Sequence, residues 1–242
     1  MWKKNDLLRH ASAFVTLSDK QAEMFIQYMD LLLEWNKKMN LTTITQPEQI
    51  LAKHFVDSLS LFRFITTDKP YRIVDAGTGA GFPGVPLAIA APHFGVTLMD
   101  SLGKRLKFLD EVAYRLGLTN TNRVHARMED AGRNARYREA FDIAVARGVA
   151  RMSVLSEYCL PLVKPGGYFY ALKGDNAAEE TQSAHEIIKI LGGHATRVEP
   201  IIIEDEYSGE PLRHTIVTIQ KIMPTPESYP RRGKVIERHI SK

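Results

Sequence analysis

The stretch Asp75-Ala-Gly77-Thr-Gly79-Ala-Gly81-Phe82-Pro83-Gly84 constrains the fold more than any other part of this 242-residue chain. It follows a short apolar run, Tyr71–Asp75, and precedes a helix expected around Val85–Ala91. Three alternate glycines let a chain reverse sharply and bring its backbone close to a ligand. The helix behind them offers N–H groups that have no partner within the helix. The same strand-then-helix rhythm continues with strand Val96–Asp100, helix Leu102–Leu116 stopped by Gly117, and strands Arg123–Ala126 and Phe141–Ala146. Helix Met152–Val163, a turn at Pro165-Gly166-Gly167, strand Tyr168–Lys173 and helix Ala177–Leu191 follow. Such alternation predicts an α/β fold with an open, mostly parallel sheet covered on both faces. Strands Thr196–Ile203 and His214–Gln220 have no helix between them, so they predict an antiparallel pair at the sheet edge. The sheet then has seven strands, the last antiparallel.

Residues 1–70 read as an N-terminal helical segment. Ser18 and Gln21 have capping-box spacing, and Ala22, Phe25, Ile26, Met29, Leu32 and Leu33 mark one apolar helix face. Asn40-Leu41-Thr42 is a break, and Pro47 suits the first position of a second helix through Phe55, Leu59 and Phe62. Residues 71–223 make the sheet domain. Residues 224–242, with two early prolines and no apolar period, read as a basic tail. The net charge of +4 divides into +1, zero and +3 over these three parts, so it is only a faint hint of an anionic partner. The total hides a local asymmetry. Residues 123–151 contain seven arginines and no lysine, whereas Glu204, Asp205 and Glu206 cluster elsewhere, so a polarised surface is expected. The single cysteine, Cys159, allows no intramolecular disulfide. No apolar run reaches the roughly 18 residues that cross a bilayer, and none resembles a secretory signal, so a cytoplasmic protein with no membrane partner is expected. The eight histidines show no metal-ligand spacing, and no metal is expected.

The plainest reading of the glycine loop is a tight turn without a ligand. Two ligand readings compete with it. Gly79 to Gly84 matches G-x-G-x-x-G, and Asp100 lies about 20 residues on, which suits a nicotinamide-dependent oxidoreductase. Yet the strand ends at Asp75, which makes Gly77 the first glycine of the turn. An acid two residues before that glycine, in D-x-G-x-G form, resembles the loop of S-adenosylmethionine-dependent methyltransferases, whose Rossmann-like fold also suits the final strand pair. Asp75, Gly77, Gly79 and Asp100 are therefore candidate cofactor residues. Asp100 would accept ribose hydroxyls at the carboxyl end of the sheet, or else cap the next helix. Glu129 and Asp130 would lie near an adenine edge, or in a solvated loop. Arg147 and Lys173 end the fourth and fifth strands, where a cation needs an anion, supplied by a ligand or by the protein itself. His54, Asp57 and Ser58 share one helix face and read as orienting that helix against the sheet rather than as a catalytic relay. Cys159 reads as a core thiol, which argues against cysteine attack on a pyrimidine. No Asn/Asp-Pro-Pro-aromatic motif follows the fourth strand, which argues against methylation of an exocyclic amine.

Several blocks together resemble the bacterial glucose-inhibited division protein B family (RsmG). They are Trp35-Asn36, Asn40-Leu41-Thr42, His54–Leu59, Asp75–Pro86, Asp100-Ser-Leu-Gly-Lys104-Arg105, Arg127-Met-Glu129, Ala146-Arg147 and Tyr170–Gly174, spread from about residue 20 to 221. The resemblance implies a 16S ribosomal RNA guanine-N7 methyltransferase that uses S-adenosylmethionine. It implies that Gly77 and Phe82 line the cofactor site, that Met128 and Glu129 hold the adenine, and that Arg147 sits beside the cofactor or target base. Arg147 is followed here by glycine, where the family more often has alanine. Guanine N7 carries a free lone pair, so placement matters more than a base. Arg147 and Arg127 are the candidate donors to guanine O6, and Lys173 the candidate for a phosphate. The expected partner is 16S ribosomal RNA in the small subunit or its assembly intermediate, met by a monomer. Replacing Arg147 with alanine is expected to remove activity and spare the fold. A non-catalytic RNA-binding protein is a further alternative, against which the intact glycines and acids argue.

Overall fold

The computed structural model describes residues 4–204, 209–232 and 236. Its sheet comprises β1 (Arg72–Ala76), β2 (Gly95–Asp100), β3 (Thr121–His125), β4 (Phe141–Arg147), β5 (Val163–Lys173), β6 (Gly193–Ile203) and β7 (Leu212–Lys221). The spatial order is β3-β2-β1-β4-β5-β7-β6. Strands β1 to β5 pair in parallel, while β7 runs antiparallel to both β5 and β6. The expected antiparallel pair is present, but its last strand is inserted beside β5 and leaves β6 at the edge. The order reverses between β1 and β4, which opens a crevice at the carboxyl ends of these strands.

Helices α1 (Lys4–Ala11), α2 (Asp19–Met39), α3 (Pro47–Ile50), α4 (Asp57–Leu59), α5 (Gly84–Ala90) and α6 (Gly103–Leu116) cover one face. Ser18 and Gln21 form the expected capping box, and Asn40 ends α2 in the left-handed conformation at φ 46°. Between α3 and α4 the backbone widens into a π-helical turn, Leu51–Val56, and a 3-10 turn, Ser60–Arg63, follows. These helices share one core with the sheet through Phe25, Tyr28, Phe55, Leu98 and Phe108. Polar contacts also fix them. Tyr28 donates to the carbonyl of Ala80 in the glycine loop at 2.5 Å. Gln21 donates to the last carbonyls of α5, Ile89 and Ala90.

Helices α7 (Met128–Ala131), α8 (Met152–Cys159), α9 (Ala177–Ser183) and α10 (His185–Ile190) complete the chain. The last three build a second core with Val74, Ala144, Phe169 and Ile219. The helix expected over 152–163 stops at Cys159, because Pro161 lacks the N–H that would continue it. Strand β5 begins early, at Val163, and takes in the expected Pro165-Gly166-Gly167 turn as an irregularity against β4. Cys159 is a buried core thiol, as expected, and burial pushes its pKa up.

The basic tail expected from residue 224 needs correction over its described part. Arg138 donates to the carbonyls of Thr225, Pro226 and Tyr229, and Arg231 forms a two-pronged pair with the buried carboxylate of Glu157. Buried Lys221 joins Thr225 and Glu139. Residues 224–232 are thus held by polar clamps, which apolar periodicity does not register. Lys234, Arg238 and Lys242 lie outside the described residues, as do Asp205 and Glu206 of the acidic cluster. Among the described residues no helix is long and apolar enough to cross a membrane.

Candidate functional site

At the carboxyl end of the sheet the glycine loop is pinned from below. Asp75 ends β1 fully buried, where its Oδ2 accepts from Thr78 Oγ1 at 2.6 Å and from the Gly84 N–H at 2.8 Å. Its Oδ1 has no partner among the described residues. Burial raises its pKa to about 6, despite the two donors. Gly84 is needed here, since a Cβ would come within 2.7 Å of Asp75 Oδ2. Gly77, at φ 73°, is needed above it, since a Cβ would meet Val149 at 2.8 Å. Asp75 therefore shapes the loop from the protein side and does not line the cavity above.

That cavity, of about 270 Å³, brings together Gly77, Asp100, Arg127, Met128 and Glu129 from the residues singled out by sequence. Gly148, Val149 and Tyr158 form a wall that sequence reasoning missed, and Ser101 and Arg105 form part of its rim. The only sequence signal for the rim was that both residues belong to the block opened by Asp100. The Asp100 carboxylate is the main acceptor. Its Oδ2 accepts from the Gly79 N–H at 2.9 Å and from Arg105 at 3.2 Å, while its Oδ1 accepts from the Leu102 N–H at 2.8 Å. The carboxylate holds the turn into α6, the alternative role expected for it, and Oδ1 retains a lone pair. Glu129 is buried on α7, and Arg127 lies 3.7 Å from it with its own side chain 69% exposed.

Besides Asp75 and Gly79, the expected site residues Phe82, Arg147 and Lys173 also lie outside this cavity. Phe82 is a core ring, 5% exposed, with the His54 ring centre 4.5 Å away and the Arg147 guanidinium 5.0 Å away. Arg147 donates to Asp57 Oδ2 at 2.7 Å, to the Lys53 carbonyl at 2.9 Å and to His54 Nδ1 at 3.1 Å. His214 Nδ1 lies 2.9 Å from the other Asp57 oxygen. The anion that meets Arg147 is thus supplied by the helical layer, 90 residues earlier in the chain. His54 and Asp57 do orient that layer against the sheet, as expected. Burial alone would raise Asp57, but His214 and Arg147 hold its carboxyl below the usual range. His54 is pushed down to about 4 by burial and by Arg147. Lys173 is likewise met by the protein, through Glu180 at 2.7 Å and the Ala150 carbonyl at 2.9 Å. It lines a neighbouring cavity of about 310 Å³ with Gly148, Leu172, Asp175 and Asn176.

The arginines of residues 123–151 do not act as one patch. Arg123 pairs with Asp110, and Arg138 and Arg147 are committed as described. Arg133 reaches the Ser228 carbonyl, and Arg136 lies over Tyr137. Of these seven arginines, Arg127 lines the crevice cavity.

A sheet of this order, with a glycine-bounded cavity at its carboxyl end, defines a Rossmann-like methyltransferase. Solved structures share the architecture. M. jannaschii TYW2 in complex with AdoMet superimposes with a TM-score of 0.54 at 15% identity, covering 74% of this chain and 80% of that one. The 16S rRNA (adenine(1408)-N(1))-methyltransferase from Catenulisporales acidiphilia gives 0.52 at 17% identity, covering 65% and 89%. The family described as rRNA small subunit methyltransferase G (GidB) matches residues 21–206. "Ribosomal RNA small subunit methyltransferase G" from Clostridium novyi is 45% identical over 229 residues, 94% of this chain and 93% of the relative. The protein of that name from Brevibacillus brevis is 48% identical over 225 residues, 93% of each. The chain belongs to the rRNA small subunit methyltransferase G family.

Proposed function

We propose that this protein transfers a methyl group from S-adenosylmethionine to N7 of a guanine in 16S ribosomal RNA. The observation that carries the reading is the cavity that joins Gly77, Asp100, Met128 and Glu129 at the sheet's switch point, in a chain of this family. The residues fit the cofactor. Asp100 keeps an acceptor for a ribose hydroxyl, and the loop at Gly77 has no room for a side chain of its own. Met128 and Glu129 would flank the adenine. When bound, S-adenosylmethionine supplies a methyl group on a positively charged sulfur.

The chain's own part is to bind, orient and manage charge. N7 needs no proton removed, and neither histidine nor cysteine lines the cavity. Donor and product base are both cationic, so bare cations beside them would repel both. Pairing Arg147 with Asp57 and Lys173 with Glu180 removes that repulsion while keeping one guanidinium and one ammonium donor rigid. Arg127 is the freer donor and would hold guanine O6 while leaving N7 open. Lys173 would sit near a phosphate. The target base would be drawn out of its stack into the crevice beside Gly148.

The test is incubation with S-adenosylmethionine and small subunits from cells lacking the protein, beside an earlier assembly intermediate. Strand scission chemistry specific for N7-methylguanine should then mark one new position in 16S RNA. Methyl incorporation with no such position would overturn the N7 assignment.

A further inference from the structure

A cavity of about 700 Å³ lies at the opposite end of the sheet from the reaction crevice. One wall is the open face of β5, β7 and β6, with Tyr168, Tyr170, Thr218, Gln220 and Arg197. The other is the connection that leads into β1, with Arg63, Phe64, Lys69 and Tyr71. From Gly167 to Lys173 the chain runs six residues along β5, about 20 Å at 3.3 Å per residue. Small ligands of such sheets bind at the carboxyl ends, so this cleft has no place in holding the methyl donor.

Its chemistry is specific. Tyr168 and Tyr170 stack with centroids 6.0 Å apart and planes 17° apart, Tyr170 buried behind a half-buried Tyr168, and half-buried Tyr71 lines the same cleft. Four cations line the cleft. Lys164 is paired with Asp142, and Arg63 with Glu199 at 3.0 Å. Lys69 lies 5.2 Å from the Tyr71 ring centre, and neither it nor Arg197 has an ion-pair partner among the described residues. The neighbouring acid, Asp68, accepts from Thr66. The bland alternative is a solvated groove between helical layer and sheet. It accounts for paired charges, but not for two unpaired cations flanking a stacked aromatic platform. A half-buried tyrosine on the sheet, bordered by two cations without salt-bridge partners among the described residues, suits single-stranded RNA, whose bases stack and whose phosphates need countercharge.

We propose that this cleft is a second RNA-binding surface. It takes a single-stranded segment of the substrate RNA, with a base on Tyr71 and Tyr168 and phosphates on Lys69 and Arg197. This rests on the reading that the substrate is RNA. A particle that presents both this segment and the target guanine is held at two points, so it gains over a fragment carrying the target alone.

The experiment compares the full chain with the double variant Lys69→Gln/Arg197→Gln and with Tyr168→Leu and Tyr168→Phe. Methylation is measured on small subunits, on protein-free 16S RNA and on a short hairpin with only the target loop, across salt concentrations. Cofactor affinity and thermal midpoint are followed in parallel. The double variant should lose about tenfold in kcat/KM on subunits and on 16S RNA, through KM, with the hairpin and cofactor affinity unchanged. Its salt slope should flatten by about 1.4, the value for two phosphates on a single strand. Tyr168→Leu should weaken binding, and Tyr168→Phe should restore it. Unchanged KM and slope with an active wild-type enzyme would overturn this proposal alone. Loss on subunits but not on 16S RNA would also overturn it, by assigning the cleft to a ribosomal protein. A wild-type enzyme inactive on every RNA would instead sink the underlying reading.

Discussion

Asp100 and Arg147 end strands on either side of β1, at the same end of one sheet, yet the protein treats them in opposite ways. Asp100 meets backbone N–H groups and one half-exposed arginine, and it still faces a cavity. Arg147 meets a buried carboxylate, a carbonyl and a neutral imidazole, and is 20% exposed. Lys173 on β5 follows Arg147, with Glu180 as its anion. The half over β1–β3 thus offers acceptors outward, while the half over β4 and β5 has its cations neutralised from within. A site that must admit one cation and release another benefits from that division. It also shifts the emphasis from Arg147 as a reagent to Arg147 as a fixed strut between the helical layer and the sheet.

The largest expected effect tests the strut. Asp57→Ala leaves Arg147 and His214 without their shared carboxylate in a buried setting. Breaking a buried pair by removing one partner costs about 3–5 kcal/mol. The urea midpoint should fall accordingly, and Asp57→Ala/Arg147→Met should recover most of the loss. A variant as stable as the parent would dissolve the distinction between the two halves. Arg147→Ala should likewise destabilise, since it strands Asp57. The sequence-based expectation that this variant would spare the fold is therefore revised, and its activity should be read only beside its stability.

The open half is tested next. Asp100→Asn keeps the shape but removes the charge that strengthens its hydrogen bonds. Bonds to a charged group contribute about 1.5–3 kcal/mol, so the Kd for S-adenosylmethionine should rise about tenfold or more by calorimetry. Stability should fall too, since both oxygens accept protein N–H groups and an amide nitrogen cannot, so affinity is read on the folded protein. Unaltered affinity would show that Asp100 only caps the turn into α6.

A third comparison uses pH. The folded-state pKa of His54 is lowered from 6.5 to about 4, so below pH 6.5 the unfolded chain takes up a proton that the folded chain refuses. Stability from this residue is full above pH 6.5 and is lost as pH falls toward 4. The loss at pH 5 is about 2 kcal/mol relative to neutral pH. Asp75 works the other way. Its raised pKa stabilises the fold below 3.8, and that contribution is lost as pH rises through about 6. His54→Gln should therefore flatten the fall in urea midpoint between pH 6.5 and 5. An unchanged fall would place the acid sensitivity elsewhere.

These contrasts explain what could be read from the chain before its structure. Short apolar runs and glycine stops set the strand–helix order because both act locally, and the acids at the ends of β1 and β2 marked the crevice because topology alone puts strand ends there. The partners of Arg147 and Lys173 could not be read that way. Asp57 reaches Arg147 across 90 residues, and Glu180 reaches Lys173 from α9. Phe82 looked like a cofactor residue because it sits in the glycine loop, but the ring turns down into the helical layer. The clamp of Arg138 on residues 225–229 and the cleft of Tyr71, Tyr168 and Arg197 depend on contacts between distant segments, which no spacing rule encodes.

The smallest effect concerns Arg127, an exposed cation that lines the crevice cavity. Its contact with Glu129 is long and largely solvated, so it adds little to stability. Arg127→Ala should leave the unfolding midpoint and cofactor affinity within error. If Arg127 holds guanine O6, kcat/KM for RNA should nevertheless fall, by about five- to a hundredfold for the loss of one good base contact. Arg127→Lys should recover only part, because an ammonium lacks the planar fork. Equal activity of all three proteins would mean that the acceptor half of the crevice holds the cofactor alone, and that guanine is fixed entirely from the neutralised half.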